Sequence, residues 1–174
     1  SIRQQLGGSE AALSAFVAAL RTASAETIAT DEALATASRA VLLGVPIDKL
    51  ANIMEVAHDN AVRLGIDTEE AFLRLSSAIA STNDRAFRSA GIMVDTAKAV
   101  NDYAKAHGIA ADALTKEQQV AAVTDATLAA YSKRVAEVGK ASATAASEIA
   151  SASAAMKEFG GAVGGVLSGP AGGL

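Results

Sequence analysis

The chain has no cysteine and no tryptophan, and only two prolines in 174 residues. Without cysteine there are no disulfides and no thiolate metal sites, and the redox compartment leaves no mark. Aromatic residues form 3% of the chain although hydrophobic residues form 51%. Much of the apolar total is alanine, which buries little area per residue, so a deep core over the whole length is not expected. Basic residues are outnumbered, 15 against 19 acidic, for a net charge of -4. That balance argues against a surface for duplex nucleic acid, where affinity comes from Lys and Arg on phosphates. No basic leader followed by an apolar run opens the chain, so no signal peptide is expected. It starts at Ser1 without an initiator Met, which is read as a fragment or a processed product.

What is present favours helix: Ala leads the composition, and Ala, Glu, Lys, Gln and Leu favour helix intrinsically. The expected fold class is all-α, with long helices carrying heptad-like seams on either side of a compact bundle of short helices, and a Gly-rich C-terminal tail. Four stretches are drawn: residues 1–43, 44–114, 115–159 and 160–174.

In the first stretch, Gly7 and Gly8 disfavour helix, so residues 1–8 are expected to be loose. Ser9 is a candidate N-cap. From there to Leu43 no Gly or Pro interrupts. Leu13, Phe16, Leu20, Ala23, Thr27, Thr30, Leu34, Ala37 and Val41 recur at steps of three and four, the heptad seam. The spacing favours one long helix, kinked near Thr27 and Thr30, over two helices with Asp31 capping the second.

Residues 44–114 carry the sharpest punctuation. Gly44, Val45 and Pro46 stop one helix and start another. The next helix sets Leu50, Ile53, Met54, Ala57, Ala61 and Leu64 on one face, and Gly65 ends it. Asp67 and Glu70 have capping-box spacing ahead of a stripe of Phe72, Leu75 and Ile79. Residues 81–84 read as a turn. A short helix with Phe87 and Ala90 follows, ending near Gly91. Asp95 caps a helix with Val100, Tyr103 and His107, which Gly108 ends. Short helices are marginal alone, so these are expected to bury their stripes against one another.

Thr115 and Gln118 form a second capping box. The three-four spacing then resumes at Thr124, Leu128, Tyr131, Val135, Val138, Ser142, Ala145, Ile149, Ala152, Met156 and Phe159. It crosses Gly139 in register. A helix over 116–159 would be about 66 Å long at about 1.5 Å per residue, and a rod of that length normally meets a partner helix. The alternative is that Ala and Ser here are helix-friendly filler. Residues 160–174 carry no charge and include Gly160, Gly164, Gly165 and Gly169 at G-x-x-x-G spacing. The run is too short to span a bilayer and Pro170 interrupts it. It reads as a flexible linker or as the start of an apolar, membrane-active segment.

No catalytic, cofactor-binding or metal-binding residue stands out, and no cofactor is expected. His58 and His107 fall in different helices without metal-ligand spacing. His58 and Asp59 are adjacent and do not face each other on a helix. There is no G-x-S-x-G elbow and no phosphate-cradling loop. Asp67, Glu69 and Glu70 sit at a helix start, where negative charge is stabilised by the helix dipole.

Four phrases in order resemble the central module of phage tail tape measure proteins. They are Leu43, Gly44, Val45 and Pro46 through Leu50; Leu64, Gly65, Ile66 and Asp67 through Ala71; Gly91, Ile92, Met93, Val94 and Asp95 through Tyr103 and Ala104; and Leu114 and Thr115 through Gln119. The resemblance covers residues 35–138. It departs at Ser81, Thr82, Asn83 and Asp84, where the family has a Gly/Ser/Pro-like turn. The chain is also much shorter than a tape measure, and so is read as a segment. The resemblance implies a virion structural protein that sets tail length and templates the tail tube. It is made in the host bacterial cytoplasm, lodged in the tail lumen or tip, and released during DNA ejection. Implied partners are further copies of the chain in a helical bundle, tail tube and tail tip proteins, and the host membrane through the Gly-rich end. No specific nucleic-acid binding and no enzyme activity are implied. The competing reading is a membrane-active or pore-forming helical protein.

Overall fold

The computed structural model describes residues 1–141, and within them every regular element is helical. The α-helices are α1 (Ile2–Gln5), α2 (Glu10–Ala23), α3 (Thr30–Leu42), α4 (Leu50–Leu64), α5 (Thr68–Ser81), α6 (Asp84–Ser89), α7 (Thr96–His107) and α8 (Lys116–Val138). Short 3-10 turns at Ile47–Lys49 and Ala111–Ala113 lead into α4 and α8.

Helix α4 is the centre. Leu50, Ala51, Ile53, Met54, Val56, Ala57, Asp59, Asn60 and Ala61 are all buried, which leaves it almost no free face. It packs most extensively on α5, and also on α2 and α8. Phe72, Leu75 and Ile79 of α5 are fully buried at the expected spacing, as is Phe87 of α6. Leu64 departs from the expected stripe: it closes α4 at 42% exposure.

The expected single helix over the first stretch is broken. Helix α2 stops at Ala23 and α3 starts at Thr30. Between them Ala25 and Glu26 take left-handed backbone, with φ of 51° and 60°. Two hydroxyls turn back on the chain, Ser24 donating to the Arg21 carbonyl and Thr27 to the Ser24 carbonyl. Ile28 drops into the core at 3% exposure. Burying that Ile side chain is worth about 1.5–3 kcal/mol, enough to offset part of the local strain. Beyond the break Ala37 of the expected seam is buried, but its buried neighbours are Ala33, Thr36 and Ala40 in place of the expected Leu34 and Val41. Upstream the seam residues Phe16, Leu20 and Ala23 are buried within this chain, not against a partner helix.

Residues 1–8 are not loose. Helix α1 buries Ile2, and Leu6 beyond it is 2% exposed. One apolar cluster runs from Ile2 to Tyr131, across the boundaries drawn at residues 43 and 114.

The local signals at helix ends divide. Ser9, Asp95 and Thr115 cap α2, α7 and α8 with their side chains, and Gln118 closes the box at Thr115. Asp67 begins α5 without a side-chain cap bond, and Glu70 pairs with Arg74. Helix α8 ends at Val138 and Gly139 caps it, so the expected passage of one helix through Gly139 does not occur. The rest of the expected rod to Phe159, and the Gly-rich tail, lie outside the described residues.

Candidate functional site

Along one face of α4, Glu55, Asp59 and Arg63 fall at successive i, i+4 positions. All three are used by the C-terminal end of the described chain. Asp59 is 1% exposed. Its Oδ2 accepts from Arg63 Nε and from Arg134 Nη2 of α8, both at 3.0 Å, and its Oδ1 accepts from the Ala141 amide at 2.6 Å. Arg63 Nη2 donates to the Gly139 carbonyl at 3.0 Å, and Lys140 Nζ donates to Glu55 Oε1 at 2.7 Å.

Asn60, also fully buried, extends the network to the α6–α7 turn. Its Oδ1 accepts from Arg134 Nη2 at 2.6 Å and its Nδ2 donates to the Ala90 carbonyl at 2.8 Å. Arg134 Nη1 donates to the Gly91 carbonyl at 2.9 Å. Its guanidinium carbon lies 5.5 Å from the Tyr131 ring centre, within cation–π range. One arginine thus ties α8 to α4 and to the turn after α6. A buried carboxylate is tolerable only when paired and hydrogen-bonded, and Asp59 is both.

Beside this network lies a groove of about 520 Å³ between α4 and α8, lined by Asn52, Glu55, Leu128, Tyr131, Val135 and Lys140 among others. The Tyr131 hydroxyl is buried and has no hydrogen-bond partner among the described residues. Burial pushes its pKa well above the usual tyrosine value, and the nearby carboxylates of Glu55 and Asp59 add to that. It is therefore a neutral donor at any physiological pH.

The histidines are placed apart. His58 Nδ1 is 3.1 Å from Thr68 Oγ1, which lies 3.0 Å from the Thr27 hydroxyl oxygen. His107 is exposed at the end of α7 and stacks on Tyr103, ring centres 3.9 Å apart. Asp67 and Glu69 line a groove of about 570 Å³ with His58, while Glu70 faces Arg74 along a second groove of about 660 Å³ on α5. Among the described residues no group of three His, Cys, Asp or Glu side chains is placed to hold a metal ion.

Apart from the Arg134 Nε, which is buried without a partner among the described residues, the polar groups of the Asp59 network bind one another, so its chemistry is that of a clasp. Sequence reasoning did not find it. Its one sequence signal was the Glu55, Asp59, Arg63 row on a helix whose other faces are apolar; nothing local pointed to Arg134, 75 residues beyond Asp59. No protein-family model, curated protein or solved structure matches the chain.

Proposed function

We propose that this chain is a structural segment of a phage or phage-like tail, acting within a tape measure protein that sets tail length and templates the tail tube. The observation that carries the reading is where the four family-like phrases fall. Each sits on a helix boundary of one packed unit. Gly44 follows α3, Gly65 ends α4, Gly91 follows α6, and all three have positive φ. Asp95 and Thr115, in the third and fourth phrases, are side-chain N-caps. The resemblance therefore lies in residues that set the helix boundaries of this unit, which supports the reading.

On this reading the protein is not an enzyme and needs no cofactor. Its partners are tail tube and tail tip proteins and further copies of the chain, without specific nucleic-acid binding. It is made in the host cytoplasm and lodges in the tail lumen or tip until DNA ejection. The seam residues of α2 serve this chain's own core, so contacts between copies fall on other faces. Among the described residues Leu42 at 87% and Met93 at 78% are the most exposed large apolar side chains. The pore-forming alternative gains no support here: among the described residues no helix is long and apolar enough to cross a membrane.

In-frame deletions in the virion-borne protein test the proposal. Removing helical residues should shorten tails by about 1.5 Å per residue. Tails of unchanged length, or virions without the protein, overturn it.

A further inference from the structure

We propose that the Glu55, Asp59, Arg63 row of α4 is a mechanical anchorage. It grips the chain just past α8, so that tension arriving from the C-terminal side is taken by α4 and does not unwind α8. The inference does not depend on the tail reading.

Helix α8 ends weakly. Its buried residues stop at Tyr131, and Ser132, Lys133, Ala136, Glu137 and Val138 are exposed. A helix end with so little burial opens locally at low free energy. The sequence runs on from there to Leu174, and a pull from that side would meet the weak end first.

The grip intercepts that pull. Residues 139, 140 and 141 are consecutive, lie past the last residue of α8, and are each held by a different side chain of α4. Arg63 binds the Gly139 carbonyl at 3.0 Å, Glu55 the Lys140 ammonium at 2.7 Å, and Asp59 the Ala141 amide at 2.6 Å. Two of these bonds go to main-chain atoms, so they hold the chain itself and not only a flexible side chain. Gly139 has φ 73° and ψ -179°, a backbone region essentially restricted to glycine, which takes the chain off the α8 axis and onto the row.

Closing α8 does not require all of this. The Gly139 amide already donates to the Val135 carbonyl at 2.9 Å, and the bonds at residues 140 and 141 add no turn to the helix. They act only on the chain that follows. The row is also set apart from the surface pairs. The ion pairs of Asp59 with Arg63 and Arg134, and of Glu55 with Lys140, have side chains between 2% and 32% exposed. In the other ion pairs among the described residues both side chains are at least 40% exposed. Exposed pairs hold little, whereas charges withdrawn from water attract more strongly. The row stands on α4, the helix most enclosed by the core.

The full chain has no cysteine, so handles for optical tweezers can be attached through two introduced ones. Ser77→Cys, exposed on α5, is paired with Ser142→Cys, just past the grip, or with Lys133→Cys, which enters α8 ahead of it. Pulled at residue 142, the otherwise unaltered chain should not lengthen before the packed unit opens. In Gly139→Ala the added Cβ meets nothing within 4 Å, but the backbone resists the turn. That variant should gain an early, low-force step of about 20 Å in contour length as residues 132–141 unwind, from about 1.5 Å per residue in helix to about 3.5 Å extended. Lys140→Ala should lower the force at which the unit opens. Neither variant should alter the traces pulled at residue 133. An early step in the unaltered chain overturns the proposal, as do traces at residue 142 that neither variant changes. Equal changes at both attachment points also overturn it, because the row then adds only to overall stability.

Discussion

The pair α2–α3 and the pair α4–α5 are built from similar numbers of residues and share one core, yet their ends are made differently. Helix α4 stops at Gly65, whose φ of 66° is a local property of that residue. Helix α2 stops where nothing local demands it, at Ala23 and its cap Ser24, ahead of two non-glycine residues with positive φ. The first kind of end is written into the residue that makes it. The second is imposed by what Ile28 and Thr27 find elsewhere, the core and Thr68 of α5. Helix ends therefore divide into those the chain specifies locally and those its tertiary contacts dictate.

If the two pairs are one cooperative unit, large deletions in either should have the same consequence. Phe72→Ala in α5 should cost about 3–5 kcal/mol and Leu20→Ala in α2 about 2–5 kcal/mol. Both should shift one urea transition without splitting it. A Leu20→Ala variant that loses a first transition while a second stays in place would show that α2–α3 is a separate domain, and would break the comparison.

The clasp comes next in size. Asp59→Ala leaves Arg134 and Arg63 without their shared carboxylate, and removing one partner of a buried pair typically costs about 3–5 kcal/mol. Arg134→Met, which removes the charge but keeps bulk, should cost less, because Asp59 keeps two of its donors, Arg63 and the Ala141 amide. Equal losses in chemical denaturation would mean that the carboxylate's other partners, Arg63 and the Ala141 amide, contribute little.

The same division explains what could be read from the sequence. The helical class was legible, as were the stripes of α5 and α6 and the stops at Gly65 and Gly108, because large apolar residues and glycines act over a few positions. The break at residues 24–29 was not. Ala, Ser and Thr fit either a continuing helix or a turn, and Ile28 decides only once there is a core to enter. The heptad seam was misleading for a related reason: a three-four spacing states that one face is apolar, not whether that face meets a partner chain or its own. The clasp was hidden because Arg134 and Asp59 are remote in sequence, and a lone Asp beside a His looks like a solvated pair.

Smaller changes sharpen the contrast between the two kinds of helix end. Gly65→Ala should destabilise by about 1–2 kcal/mol, the cost of left-handed backbone for a residue with a Cβ; nothing crowds the added carbon itself. Ala25→Gly should act the other way and stabilise by up to about 1 kcal/mol, because that position already bears the strain. Thermal unfolding of the two variants should move Tm in opposite directions. A fall in both would mean that Ala25 makes packing contacts worth more than its strain.

The smallest effect is one of pH, at the corner between α6 and α7. Asp84 Oδ1 accepts from both the amide and the hydroxyl of Thr96, at 2.9 and 2.6 Å. Those two bonds, the hydroxyl's first, hold its pKa below the usual 3.8, with a smaller contribution from Arg88. Protonation is thus harder in the folded protein than in the unfolded chain, so the unfolded state binds more protons as pH falls. The stability Asp84 contributes is complete above its unfolded pKa and is lost as pH drops through the lower folded value. Asp84→Asn removes that titration. The stability difference between wild type and Asp84→Asn should be constant near neutral pH and should shrink only below about pH 4. The group is on the surface, so the change will be modest. A difference that instead grows on acidification would reverse the sign of the shift, and would mean that the Thr96 bonds do not persist in solution.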